Sequence, residues 1–241
     1  MSDVADQVAH ELANQEAING VPELHVGGHR LRLLPERAVH LPDQALLLVA
    51  DAHIGKAHSF RRLGVPVPSG TTAEGLARLS KLVQHTQARR IVFLGDLLHA
   101  ARGRSLSMLQ AVADWREQHA ALELLLVRGN HDQHAGDPPA SWRMLCVNEP
   151  CFLPGPPTLA LCHHPNALPG AYVLAGHVHP AVVLGGRAHQ RLRLPCFHFG
   201  QHVGLLPSFG DFTGGHVVKR CVGDRVYVVA DTAVRALHSS P

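Results

Sequence analysis

The segment LLLVADAH, residues 46–53, decides the fold, because an unbroken apolar run passes directly into a polar Asp-Ala-His cluster. A continuous apolar run of this length is typical of a β-strand that is covered on both faces. The same arrangement returns in IVFLGDLLH (91–99) and in LELLLVRGNHD (122–132). Each of these segments predicts a buried strand that ends in side chains able to bind a metal or to take part in catalysis.

Amphipathic helices are predicted between these strands, at Thr71–His85 and at Ser105–Gln118, where leucine and valine recur at helical spacing. Alternating strands and helices predict a parallel sheet of βαβ units. A hairpin is predicted over Glu23–Leu34, and residues 1–20 are expected to form a polar arm or helix. From Thr158 to Val229 the sequence shows short strands, separated by glycine and proline, that favour antiparallel pairing. We therefore expect one domain over 21–241, in which two sheets pack face to face.

The composition excludes several classes of protein. The longest apolar run, Ala45–Ala50, is far shorter than the ~18 residues that a membrane helix needs. The first 20 residues lack the apolar block of a signal peptide, so we expect a cytoplasmic location. Five cysteines without a C-x-x-C pair argue against a disulfide framework or a zinc ribbon. The net charge of +3 permits a polyanionic partner without requiring one.

Twenty histidines need an explanation, and many of them follow predicted strands. TLALC (158–162) runs into His163-His164, and YVLAG (172–176) runs into His177-Val178-His179. Because ligands bind at the carboxyl ends of strands in open α/β sheets, we expect the polar clusters to meet at one site. The candidate donors share oxygen or nitrogen atoms and strand-end positions: Asp51, His53, Asp96, Asn130, His163, His177 and His179.

This donor set predicts a metal centre. Oxygen and nitrogen ligands without thiolate suit Mn²⁺, Fe²⁺ or Zn²⁺, and the sequence does not choose among them. Seven donors are too many for one tetrahedral ion but suit two ions if one carboxylate bridges them. Two such ions could clamp a phosphate and activate a water molecule for attack on phosphorus.

The motifs DAH, GDLLH, GNHD, HH and GHVH resemble, in this order, those of the calcineurin-like metallophosphoesterases. The surrounding segments, including DAHIGKAHSFRRLGVPVPSGTT (51–72), GAYVLAGHVHPAV (170–182) and LLPSFGDFTGGH (205–216), resemble the ligase-associated DNA damage response endonucleases (PdeM-type). The resemblance covers most of residues 24–230. It implies a four-layer α-β-β-α sandwich of two mixed sheets with helices outside.

The resemblance also implies roles for the candidate residues. Asp51, His53 and His179 would bind the first metal, and Asp96 would bridge. The second metal would be held by Asn130, His163 and His177, while the role of the adjacent His164 stays open. His131 would act as the general acid, oriented by Asp132 or another acceptor.

The resemblance further implies an activity and a context. Proteins of this kind are manganese-dependent enzymes that cut single-stranded DNA, encoded beside an ATP-dependent DNA ligase, a helicase and an exonuclease in bacterial repair clusters. The implied location is thus a nucleoid-associated one.

Basic side chains near the predicted site suggest a rim for several phosphates. The substrate-binding candidates are Arg61, Arg62, His99, Arg102, Arg104, Arg128 and His164. Lys56 and His58 are expected in the same loop as Arg61. Among the phenylalanines that could stack on bases, Phe209 and Phe212 in a glycine-rich loop are favoured.

Three other functions stay open at this point. A phosphomonoesterase or cyclic-nucleotide phosphodiesterase would use the same metal centre. A non-catalytic scaffold would have lost ligands or His131, and none is lost. A histidine-rich metal buffer would carry its histidines in low-complexity tracts.

Overall fold

A computed structural model describes residues 21–68, 70–100, 103–155, 158–185 and 191–237. The arm or helix predicted for residues 1–20 lies outside the described residues. A seven-stranded sheet has the order β1-β2-β3-β4-β5-β6-β7. Its strands are Glu23–Val26 (β1), His29–Leu34 (β2), Ala38–Leu41 (β3), Leu46–Val49 (β4), Arg90–Leu94 (β5), Glu123–Val127 (β6) and Met144–Val147 (β7).

The predicted hairpin is confirmed as β1 and β2, and the three apolar runs form β4, β5 and β6, which pair in parallel. The strands β3 and β7 were not predicted. β3 pairs antiparallel with β4 and β7 pairs parallel with β6, so the sheet is mixed. Neither AVHL (β3) nor MLCV (β7) has a continuous apolar run bounded by turn residues or a clear alternation of apolar and polar residues.

Four α-helices occur among the described residues: Lys56–Arg62 (α1), Thr71–Thr86 (α2), Leu106–Gln118 (α3) and Asn130–Ala135 (α4). α2 and α3 confirm the predicted helices. Ser105 caps α3, because its hydroxyl accepts the amide hydrogen of Met108 at 3.2 Å. The loop expected around Lys56 and His58 is instead the helix α1. Its residues are mostly polar or basic, so no apolar stripe revealed it.

The second sheet has the order β14-β11-β12-β13-β10-β9-β8, with β15 and β16 added beside β12. Its strands are Cys151–Leu153 (β8), Thr158–Cys162 (β9), Ala171–Ala175 (β10), Pro180–Gly185 (β11), Arg191–Phe199 (β12), Val203–Leu205 (β13), His216–Val217 (β14), Arg225–Ala230 (β15) and Ala233–Leu237 (β16). The expectation of antiparallel pairing is only partly right. β9, β10 and β13 pair in parallel, and so do β11 and β14.

The two sheets share one core. Leu48 and Leu94 of the first sheet belong to the same buried cluster as Leu161 and Phe197 of the second. The opposite face of the first sheet packs against α2 and α3. Two mixed sheets in an α/β fold therefore match the prediction. An outer helical layer was also predicted for the second sheet, but no helix occurs between residues 158 and 237 within the described ranges.

All five cysteines are free, as the sequence predicts. Burial raises the pKa of Cys162 to about 11 and that of Cys196 to about 12, so neither is a reactive thiolate at neutral pH. None of the helices formed by described residues has both the length and the apolar character required to cross a bilayer.

Candidate metal centre

The first sheet brings four predicted ligands together. β4, β5 and β6 are parallel neighbours, so the residues that follow them lie side by side. Asp51 and His53 follow β4, Asp96 follows β5, and Asn130 begins α4 after β6. The amide of His53 donates to the carbonyl of Asp96 at 2.9 Å, and this bond holds the two segments in register.

The second sheet supplies the three histidines. β9 and β10 are parallel and pair Cys162 with Ala175, so the residues that follow these strands leave the sheet at the same edge. His163 follows β9 directly, and His177 follows β10 after one glycine. The amide of His177 donates to Oδ2 of Asp51 at 2.9 Å. This bond joins the end of a second-sheet strand to the end of a first-sheet strand.

The donors form two groups. In the first donor group, Nε2 of His179 lies 3.4 Å from Nε2 of His53 and 3.5 Å from Oδ1 of Asp51. One ligand atom from each of these three residues lies within 4.8 Å of the others. The arrangement is the one predicted for the first metal.

In the second donor group, Nε2 of His163 lies 2.8 Å from Oδ1 of Asn130 and 3.0 Å from Nδ1 of His177. Asp96 stands between the two groups. Its Oδ1 is 3.5 Å from Nε2 of His163, and its Oδ2 is 3.9 Å from Nε2 of His53. This is the position that a bridging carboxylate would need.

Hydrogen bonds set the orientation of two of these histidines. Nδ1 of His163 lies 3.1 Å from the carbonyl of Leu94, and Nδ1 of His179 lies 3.1 Å from that of Thr213. Because a carbonyl oxygen only accepts, each Nδ1 carries a hydrogen, and in the neutral ring this leaves the lone pair on Nε2. A hydrogen bond from the other ring nitrogen usually fixes the orientation of a metal-binding histidine.

The backbone around the donors is strained. Five of the seven predicted ligands have a φ between +46° and +67°: Asp51, His53, Asp96, His177 and His179. A non-glycine residue in this region costs on the order of 1–3 kcal/mol, and such residues cluster at functional sites. The fold therefore accepts strain at the positions that carry the predicted chemistry.

Close packing explains why glycine precedes two of the donors. Gly95 has a φ of +76°, and a Cβ there would lie 2.1 Å from Nδ1 of His163. A Cβ on Gly129 would lie 2.4 Å from Oδ1 of Asp96. Any larger residue would displace a predicted ligand.

The residues fit two divalent cations. The side chains of Asp51 and Asp96 are almost fully buried, and no arginine or lysine in the described ranges forms an ion pair with either. Oδ1 of Asp51 and Nδ1 of His53 are buried without a hydrogen-bond partner. Burial lowers the pKa of His53 to about 2, so the ring is neutral and able to ligate. Buried carboxylates without an arginine or lysine partner, beside the neutral ring of His53, call for a cation.

His131 lies at the centre of the site, but Asp132 does not orient it. Nδ1 of His131 donates to the carbonyl of His99 at 2.9 Å, and Nε2 lies 3.8 Å from Oδ2 of Asp96. The buried carboxylate of Asp132 instead accepts the amides of Leu98 (3.1 Å) and Gly129 (2.9 Å). The prediction that Asp132 orients His131 is therefore wrong. Asp132 instead holds together the loops that carry Asp96 and Asn130.

The two histidines of the doublet His163-His164 have different contacts. His163 occupies the second donor group, and a ligand atom of His164 lies within 4.8 Å of those of His163 and His177. Nδ1 of His164 also lies 2.6 Å from Oε1 of Glu149. Oε2 of Glu149 accepts the amides of both histidines, at 2.7 and 2.9 Å. Burial alone would raise the pKa of Glu149, but these hydrogen bonds outweigh it and hold the pKa below its usual value. Sequence reasoning missed Glu149 because it belongs to no motif.

Replacing Glu149 with glutamine should lower the affinity of the second donor group for Mn²⁺ by about 10–100-fold. The amide oxygen of glutamine can take the place of Oε2 and accept both backbone amides, but the amide nitrogen cannot accept a hydrogen from Nδ1 of His164, and the negative charge beside that ring is lost. Isothermal titration with Mn²⁺ measures the change, and E117Q on the exposed side of α3 serves as the matched control. Unaltered affinity in E149Q would remove Glu149 from any supporting role.

The predicted arginine rim is largely engaged elsewhere. Arg61 donates to the carbonyl of Pro68 at 2.7 Å, and Arg104 donates to that of Asp137 at 2.8 Å. Arg128 forms a bidentate pair with Asp137, with both bonds at 2.7 Å. The charge of Arg128 is paired with a carboxylate, whereas Arg61 and Arg104 are bonded to neutral carbonyls and keep their positive charge. Arg62 is exposed, and Arg102 lies outside the described residues.

Two other side chains stand closer to the donors. The ring of His99 lies 5.2 Å from that of His131 in a stacked arrangement and 5.5 Å from that of His53. Lys56, at the start of α1, raises the local positive potential enough to help lower the pKa of both His53 and His99, although burial is the larger cause for each. The sequence signal for Lys56 was its place five residues after Asp51.

The sandwich of two mixed sheets and the two donor groups define the protein as a metallophosphoesterase enzyme, and the chain belongs to that family. The relative that shows this is the nuclease MPE of Pseudomonas putida, which is 42% identical and matches with a TM-score of 0.79. The match covers 90% of this chain and 100% of that one. Yfce, a phosphoesterase from E. coli, is 16% identical over 78% of this chain and 95% of its own, with a TM-score of 0.42. No family model and no curated protein matches the chain.

Proposed function

We propose that the protein is a Mn²⁺-dependent endonuclease that cuts single-stranded DNA in DNA repair. The observation that carries the proposal is the presence of two complete donor groups, joined at Asp96, in a chain 42% identical to a nuclease. Mn²⁺ suits the mixed oxygen and nitrogen donors, and Fe²⁺ or Zn²⁺ would fit the same residues.

The proposed division of labour follows the geometry. Asp51, His53 and His179 hold one ion, and the second donor group holds the other. Two divalent ions held there would act as Lewis acids: they would lower the pKa of a bound water molecule and stabilise negative charge on the phosphate oxygens. His131, fixed through its Nδ1, presents Nε2 toward the reacting phosphate and donates a proton to the leaving oxygen.

The repair context is part of the proposal. The family resemblance supports a functional association with an ATP-dependent DNA ligase, a helicase and an exonuclease, and hence action near the nucleoid. These associations stay predictions, as does the choice of DNA over RNA.

Closed circular single-stranded DNA tests the proposal, because a circle offers no end to an exonuclease or a phosphomonoesterase. With Mn²⁺, the protein should convert the circle to fragments and cut the matching duplex circle far less, and EDTA should stop the reaction. An intact circle, combined with hydrolysis of small nitrophenyl phosphate esters, would favour the alternative: a phosphomonoesterase or cyclic-nucleotide phosphodiesterase.

A further inference from the structure

A cavity opens directly beside the metal ligand His53. The space inside it that a water-sized molecule can occupy is about 40 Å³, so it is a small groove that opens to solvent rather than an enclosed pocket. Three segments form its walls: the chain from Ala52 to Ala57, the first turns of α2, and the loop Phe209–Phe212. Because His53 belongs both to the cavity wall and to the first donor group, a ligand in the cavity would adjoin a phosphate held at the metals.

The far part of the cavity is mainly apolar, although Arg78 and Asp211 also line it. Leu76, Leu79 and Phe209 are buried and form its floor, together with the partly buried Ile54. Phe212 stands at the rim with 49% of its surface exposed, and its φ is +59°. A bulky side chain in this backbone region is strained, so the loop holds an exposed aromatic ring at a cost. Such surroundings suit a flat, mainly apolar group.

Of the two phenylalanines favoured for stacking on a base, Phe209 and Phe212, only one is exposed. Phe209 is not available for stacking on a base, because it is 2% exposed and the guanidinium of Arg78 lies 4.0 Å from its ring centroid. Arg78 also donates to the carbonyl of Phe209 and lies 3.7 Å from Asp211. Only Phe212 of the two presents its ring to a ligand.

The near end of the cavity is cationic. Lys56 lines it, and no ion pair of Lys56 occurs within the described ranges. The metal ligand His53 lines the same end, and the ammonium of Lys56 is attracted to the carboxylates of Asp51 and Asp96. The cavity therefore joins a positive end at the metal centre to an apolar end under an aromatic ring. A nucleotide has the same distribution, with an anionic phosphate at one end and a flat base at the other.

We propose that this cavity binds the nucleoside next to the scissile phosphate, with its base against Phe212 and the apolar wall and with its phosphate beside Lys56. The inference rests on the proposed function, since it requires a nucleic-acid phosphodiester as substrate. It adds a specificity site that none of the metal ligands supplies.

Gly75 allows a direct test. It lies on the cavity face of α2, and a Cβ added there would meet no atom within 4 Å. G75L would project a side chain into the cavity without a backbone clash. A77L adds the same side chain to the exposed face of the same helix and is the matched control. F212L removes the aromatic ring and serves as an independent second variant.

Three chromogenic diesters report on the cavity in the presence of Mn²⁺: methyl 4-nitrophenyl phosphate and the 4-nitrophenyl esters of thymidine 5′-phosphate and thymidine 3′-phosphate. They share a leaving group and differ only in the group that remains. The parent protein should prefer at least one thymidine ester over the methyl ester by about tenfold in kcat/KM, a factor typical of base stacking. G75L and F212L should bring that ratio close to one, whereas A77L should preserve it.

Two results would overturn the inference: a parent protein without a nucleoside preference, or a preference that survives G75L. Either result would leave the proposed function standing if the parent protein still cuts the closed single-stranded circle. Failure to cut the circle would instead refute the proposed function.

Discussion

Asp96→Asn should reduce the kcat/KM for phosphodiester hydrolysis by on the order of 10³-fold or more. The carboxylate of Asp96 lies between the two donor groups, at 3.5 Å from Nε2 of His163 and 3.9 Å from Nε2 of His53. Asparagine keeps the size of the side chain and can still accept the amide hydrogen of His131, which lies 2.9 Å from Oδ1. The substitution therefore removes the negative charge between the two predicted ions while preserving the local fold.

Metal content separates this effect from misfolding. We expect wild-type protein to bind two Mn²⁺ ions and D96N to bind at most one, as measured by elemental analysis after gel filtration. D114N, on the exposed face of α3, loses the same charge far from the site and should retain both ions and full activity. A D96N protein that holds two ions and hydrolyses diesters normally would contradict the bridging position of Asp96.

His131→Ala should have an effect that depends on the leaving group. A general acid contributes typically about 10²–10⁴-fold when the leaving oxygen is a poor one. DNA has an alkoxide leaving group, which needs a proton, whereas nitrophenolate leaves without one. We therefore expect H131A to lose about 10²-fold or more in the rate of DNA cleavage and much less in the rate of nitrophenyl ester hydrolysis.

The geometry favours this role because the carbonyl of His99 fixes the ring of His131 and leaves Nε2 facing Asp96 at 3.8 Å. H85A, an exposed histidine on α2, provides the matched control. Equal losses on both substrates would show that His131 acts before proton transfer, for example by positioning the phosphate. Unchanged DNA cleavage would remove it from the mechanism.

The main strands could be predicted because their signals are local. The apolar runs of β4, β5 and β6 need cover on both faces, and this requirement appears in the sequence itself. The helix α4 could not be predicted, since Asn130–Ala135 is polar and contains no apolar stripe. The parallel pairing of β9, β10 and β13 was also missed. Short strands carry no record of their partners, which depend on contacts between distant segments.

The same contrast applies to the site. Asp51, Asp96 and His163 were predicted because each directly follows an apolar strand. Glu149 could not be predicted, since its three hydrogen bonds to the His163-His164 turn form only when β8 pairs with β9, which brings the connection between β7 and β8 to the end of β9. Asp132 was predicted as catalytic from its place in the motif, but burial turned its carboxylate toward two backbone amides.

The sequence by itself determined the apolar strands β4, β5 and β6, the candidate donors and the chemistry that these donors suit, because these properties depend on residue type and local periodicity. Only the tertiary structure decided the distances between the donors, which arginine is paired with a carboxylate and which of Phe209 and Phe212 is exposed. The sequence gives no sign that an arginine has a partner. In the structure, hydrogen bonds to other loop residues hold Arg61, Arg104 and Arg128. The exposure of Phe212 and the burial of Phe209 follow from packing against α2, which no local pattern encodes.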